Sequence, residues 1–138
     1  MDRQIVTAKI ESLRRCLDRV RLTCPDTAAE LSGDADSQDI VALNLTRAIQ
    51  IAVDIGAHLL SATGTRAPTT MGETFELLAQ ANVVPADLAT RLRKAVGFGN
   101  IAIHSYEKID WEIVHSICQR GLVDFEDFAS QVAKASLR

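Results

Sequence analysis

The chain has 138 residues, 47% of them apolar, 24% charged and 4% aromatic, with a net charge of −3, a globular mix rather than a disordered or low-complexity one. At this size folding buries roughly 68–70% of the surface of the unfolded chain, so a single domain over residues 1–138 can hold a core without disulfides or a structural metal. The acidic balance excludes any global attraction to nucleic acid, so such binding has to be local.

Cys16, Cys24 and Cys118 are odd in number and lack CxxC pairing, which fits a reducing cytoplasm better than a disulfide framework. The first residues show no secretion signal, so a cytoplasmic location is expected. The most apolar segment, 40–60, is interrupted by Asn44, Arg47, Gln50, Asp54 and His58, which argues against a membrane span.

Val6, Ile10, Leu13, Leu17, Val20 and Cys24 recur at steps of three and four, the stripe of a first helix. Pro25, Gly33 and the run 34–37 then break the period, and Asp36 or Ser37 is expected to cap a long second helix reaching about Ser61. After the loop 63–68, Thr70 and Glu73 form a capping box that opens a short helix over Met71–Gln80. Pro85 suits the first position of a fourth helix carrying Leu88, Leu92 and Val96. A last helix starts near Asp110 and turns Ile113, Val114, Ile117, Cys118, Phe125, Phe128 and Val132 to the core, with Gly121 serving close packing or a bend. With no alternating strand pattern, the expectation is an all-α bundle of about five helices.

Two groups of residues invite chemistry. Asn44, Arg47, Asp54 and His58 fall on nearly one face of the second helix, and form either a solvated face or the polar wall of a site. In the segment 97–106, Gly97 and Gly99 interrupt a helix at about 1 kcal/mol each. Asn100 and His104 are four apart and share a face, and Tyr106 follows at the helix end. An amide, an imidazole able to exchange protons near neutral pH, and a phenol are thus brought near one another, although a lone histidine at a helix end also serves structural roles. His58, His104 and His115 lack metal-ligand spacing, and no phosphate-binding glycine loop occurs, so neither a metal nor a nucleotide cofactor is expected. Basic residues cluster in helix one and again at Arg91, Arg93, Lys94 and Lys108, as phosphate-binding surfaces or as ordinary solvated faces.

The segment Gly97-Phe98-Gly99-Asn100-Ile101-Ala102-Ile103-His104-Ser105-Tyr106 resembles the signature of the HepT toxins of the HEPN superfamily. In that signature an arginine, usually followed by a polar residue such as asparagine, is separated from a histidine by four to six intervening residues, and x-Tyr follows. The string Asn44-Leu45-x-Arg47-Ala48 leading to Asp54-Ile55-x-x-His58, the Phe75-Glu76-Leu77-Leu78 helix and Asp124-Phe125-Glu126-Asp127-Phe128 extend the resemblance along nearly the whole chain.

The resemblance implies a HEPN-like bundle that forms a homodimer, joins two motif helices in a cleft, and cleaves RNA without a metal. It gives His104 the part of acid or base at the ribose 2′-hydroxyl and Asn100 an orienting part. It makes Tyr106 similar to the tyrosine on which the partner antitoxin, an MntA-like minimal nucleotidyltransferase, places AMP. The motif arginine falls at Gly99, so a phosphate clamp is missing and impaired catalysis is implied, whether the change is natural or introduced. A non-catalytic HEPN module that binds a nucleotide or a nucleotidyltransferase is the alternative.

Overall fold

The computed structural model describes residues 2–137, and the described residues are helical without strands. Helix α1 spans Arg3–Thr23, α2 Ala28–Ser32, α3 Ala35–Ala62, α4 Met71–Gln80, α5 Ala86–His104, α6 Trp111–Ser116 and α7 Leu122–Ala135. A single 3-10 turn, Tyr106–Lys108, follows α5, and a π turn, Ile117–Gly121, joins α6 to α7. The five expected helices are present. The additions are α2 and the π turn, which divides the last helix at the glycine expected to bend it.

Helix α3 is the central element, packed lengthwise on α1 and also against α4, α5 and α7. Its length and composition would suit a bilayer, but 56% of its most apolar window is buried among the other helices. The expected stripe of α1 is the buried one: Val6, Ile10, Leu13, Leu17 and Val20 face α3, with Leu13, Leu17 and Val20 at 0% exposure. Burying each such side chain stabilises the fold by roughly 1.5–3 kcal/mol. Phe75 on α4 and Phe128 on α7 meet edge to face at 5.7 Å and close the core.

Local chemistry fixes the helix ends, in places one to three residues from expectation. Asp34, rather than Asp36 or Ser37, caps α3 by accepting from the Ser37 N–H, and the Ser37 hydroxyl donates back to it at 2.8 Å. These bonds hold the Asp34 carboxyl below its usual range. Pro85 is the cap of α5 and not its first residue, with an extended ψ of 149°. Thr70 accepts from the Glu73 N–H as expected, but the Glu73 carboxylate accepts from Thr69 N–H at 2.8 Å and from Arg66 at 2.8 Å instead of returning to Thr70. Short α2 is opened by a second such pattern, Thr27 accepting from Glu30 N–H. Ile113, expected in the core, is 58% exposed.

Candidate functional site

The glycine-containing helix α5 ends at His104 because Ser105 leaves the helical region at φ −150°, ψ 53°, and the chain tightens into the 3-10 turn that begins with Tyr106. Asn100 and His104 share the exposed face of α5, as their spacing requires. Neither side chain hydrogen-bonds to another described residue, so both are free to meet a ligand.

Tyr106 is held differently. Its hydroxyl donates to Asp39 Oδ1 on the second turn of α3 at 2.6 Å. Its ring packs edge-on against Trp111, with centroids 5.9 Å apart. Partial burial, the hydrogen bond to Asp39 and the negative charge of Asp39 together push the phenol up to about 12. Tyr106 and Asp39 line a cavity of about 250 Å³ together with Ala42, Leu43, Thr46, Ala102 and Ile103. Leu43 and Ile103, 50% and 58% exposed, place apolar surface beside the phenol, whereas Ile101, 44% exposed, lies on the other side of α5.

The two motif glycines differ. A Cβ at Gly97 would meet nothing within 4 Å, and nothing in the packing explains glycine there. Gly99 is buried against α3, where a Cβ would lie 3.3 Å from Ile49 Cδ1 and 3.7 Å from its Cγ2. That Cδ1 is the free end of a flexible side chain, so a Cβ at 99 is accommodated if Ile49 gives by a few tenths of an ångström. Position 99 lies one helical turn before Ile103, hence on the side of α5 that borders the Tyr106 cavity.

The polar line of α3 is not one wall. Asn44 is buried, and its amide donates to the Ile40 carbonyl at 2.8 Å. It lines a groove with Arg47, Arg15 and Arg19 on the α1 side of α3. Asp54 lies 3.9 Å from Lys9 and accepts from Gln50. His58 Nε2 accepts from the Asp2 N–H at 3.3 Å, tying α3 to the start of α1. His58 is 19 residues along α3 from Asp39, about 28 Å at 1.5 Å per residue. Asp54 and His58 therefore brace the opposite end of the bundle. The second basic cluster is half neutralised: Arg91 pairs with Asp87 and Asp124, and Arg93 with Glu76.

Sequence reasoning missed Asp39. It lies 67 positions from Tyr106, in a stretch read only as a helix start, and no local spacing signals such a pair.

Comparison with known proteins decides the family. Residues 13–132 match the family model described as Ribonuclease HepT-like. The chain belongs to that family. It is 35% identical over 124 residues to the mRNA nuclease HepT of Shewanella oneidensis, covering 90% of this chain and 92% of the relative. Among solved structures it resembles the tri-AMPylated Shewanella oneidensis HEPN toxin in complex with its MNT antitoxin, with a TM-score of 0.89, 35% identity, and 98% and 99% of the two chains covered. A toxin–antitoxin structure with AMP-PNP is similar at a TM-score of 0.88 and 32% identity, over 96% of this chain and 99% of that one.

Proposed function

We propose that this HepT-like chain is the toxin of a toxin–antitoxin pair, a single HEPN domain that acts in the cytoplasm as a homodimeric, metal-independent endoribonuclease on RNA such as mRNA or tRNA, and that Gly99 leaves its catalysis impaired. The observation that carries the reading is the open end of α5, where Asn100 and His104 face solvent one turn apart with Tyr106 at the helix end. On RNA, His104 removes the proton of the ribose 2′-hydroxyl or supplies one to the leaving 5′-oxygen, and Asn100 orients the phosphate. The exposed apolar side chains Ile101 and Ile103 near the end of α5 support pairing with a second copy, which would bring two α5 ends to one cleft. Asn44 and Arg47 border that end of α3, whereas Asp54 and His58 have a bracing part only.

The missing step is electrostatic. Negative charge grows on the phosphate oxygens in the transition state, and a guanidinium aimed at them acts most strongly where water is excluded. Glycine offers nothing there. The same gap favours the second reading, a HEPN module that binds a nucleotide or a nucleotidyltransferase without cutting RNA.

Tyr106 is the proposed acceptor of AMP from an MntA-like nucleotidyltransferase. Its oxygen attacks the α-phosphorus of ATP, pyrophosphate leaves, and the phenolic proton passes to Asp39, which already accepts it in a hydrogen bond at 2.6 Å. The phosphates added beside the cleft repel RNA. Relatives solved as AMPylated and antitoxin-bound complexes support this partner.

Cells expressing this chain and cells expressing Gly99→Arg, each with and without the nucleotidyltransferase, test the proposal through growth and RNA integrity. Arginine is expected to raise RNA cleavage about 10²–10³-fold, the effect of one well-placed transition-state donor, and the antitoxin to suppress it while Tyr106 gains AMP. Intact RNA in both strains would move the binding module to first place.

A further inference from the structure

A second feature lies outside the motif. Arg15 and Arg19, one turn apart on α1, and Arg47 on α3 converge on a groove of about 510 Å³ between the two helices. Arg21, Arg66, Arg91 and Arg93 each pair with a carboxylate. Among the described residues, Arg15, Arg19 and Arg47 have no such partner. All three are exposed, and the one side-chain bond among them is Arg15 donating to the Ser12 hydroxyl at 3.0 Å. Like charges one turn apart on a helix repel, so the cluster costs stability and gains nothing within the chain. Arg47 and Arg15 also lie close enough to Cys16 to favour its thiolate, opposing the burial that raises the thiol.

We propose that this groove is a binding site for the phosphodiester backbone of single-stranded RNA, separate from the Asn100 and His104 end of α5. The identity of the ligand rests on the ribonuclease reading above. Three guanidinium groups from two helices match successive phosphates, because each planar fork bonds two phosphate oxygens at once. Ile40, Leu43 and Ile51 give the groove an apolar floor suited to sugar and base faces. Leu43 also lines the Tyr106 cavity, so the groove and the motif end of the molecule share one wall. From Asp39 to Arg47 is eight residues of α3, about 12 Å along its axis, a distance that a short run of nucleotides spans. In a chain of net charge −3, attraction to RNA has to come from such a local concentration of positive charge.

Anisotropy of a fluorescent single-stranded oligoribonucleotide carrying 2′-O-methyl groups, which cannot be cut through the 2′-hydroxyl, titrated with the chain as it stands between roughly 50 and 200 mM salt, tests the site. The triple variant Arg15→Gln, Arg19→Gln, Arg47→Gln is expected to lose at least about tenfold in affinity at the lower salt. Its plot of log affinity against log salt should flatten by about 2, at roughly 0.7 for each phosphate no longer neutralised. Replacing the same three residues by lysine keeps the charge and should retain most of that slope. Circular dichroism and thermal unfolding check that these surface variants fold. Equal affinity and slope in parent and glutamine variant would overturn the proposal, as would displacement of the RNA by polyglutamate as readily as by unlabelled RNA, which would make the groove an acidic-peptide site.

The two readings fail separately. In the Gly99→Arg background, cleavage with an unchanged KM in the glutamine variant would leave the ribonuclease standing without the groove. RNA binding through the arginines with no cleavage after Gly99→Arg would leave the groove standing without the ribonuclease.

Discussion

Helix α3 meets α4 at Gly56 and α5 at Gly99, and the two crossings differ in what they require. A Cβ on Gly56 would lie 2.5 Å from Thr74 Cγ2 and 2.9 Å from Leu78 Cδ1, inside two fully buried side chains. A Cβ on Gly99 would touch only Ile49, at 3.3 Å from its Cδ1 end. Thr74 is β-branched and stiff at χ1, and its hydroxyl is buried without a partner. Ile49 needs to move a few tenths of an ångström. Glycine is thus a condition of packing at 56, whereas at 99 a Cβ asks only for a small movement of one side chain.

The comparison predicts opposite signs for one substitution. Gly56→Ala should destabilise the chain by about 1–3 kcal/mol, the usual effect of overpacking a filled core. Gly99→Ala should be neutral or stabilising by up to about 1 kcal/mol, since alanine is the better helix former and the strain at Ile49 is small. Denaturant unfolding of both variants checks this. A loss at Gly99→Ala as large as at Gly56→Ala would mean that α5 also needs its glycine, and that an arginine there would disturb the fold.

A smaller effect sharpens the description of the motif end. Tyr106 is the single tyrosine of the sequence, so phenolate absorbance in the near ultraviolet reports it alone. Half-ionisation is expected near pH 12. Asp39→Asn removes the charge that favours the neutral phenol and weakens the hydrogen bond, so the midpoint should fall toward the ordinary value of about 10. An unchanged midpoint would show that burial alone holds the phenol. Gly56→Ala, at the far crossing, should leave the titration where it is as long as the chain stays folded.

How much of this is readable in the sequence depends on the range of the interaction. The helices α1, α4 and α5 follow from periodic apolar positions and local capping residues, which act within a few residues. Helix α2 carries the same kind of signal, Thr27 and Glu30 at capping-box spacing, but the nearby proline and glycine point to a loop and mask it. The cap of α3 is ambiguous because Asp34, Asp36 and Ser37 are all good caps, and only the bond between Asp34 and Ser37 selects one. Asn100, His104 and Tyr106 are visible as a motif. The Asp39 partner and the meeting of Arg15, Arg19 and Arg47 are not, since helical spacing says which residues share a face and not which helix lies opposite. For the same reason Asn44, Arg47, Asp54 and His58 read as one line, and the structure divides them between the groove and the far end of the bundle.

The smallest effect concerns the loop that leads into the Gly56 crossing. Glu73 opens α4 one residue before Thr74, and its carboxylate binds Arg66 at 2.8 and 3.1 Å and accepts from the Thr69 N–H. The Arg66 hydrogen bonds first, then the Thr69 N–H, hold the carboxyl down at about 2. In the unfolded chain it titrates near 4.5, so over the interval between these values the unfolded state binds more protons and stability rises with pH. The contribution is fully present above about pH 4.5 and is lost as the pH falls toward 2. Glu73→Gln should therefore unfold at a slightly lower temperature than the parent at neutral pH, with the gap closing across that acid interval. The pair is solvent-exposed, so salt should shrink the difference. A gap that persists unchanged in acid would mean that Glu73 acts through packing beside Thr74 rather than through its charge, and the rigidity of the Gly56 crossing would then have an apolar origin on both sides.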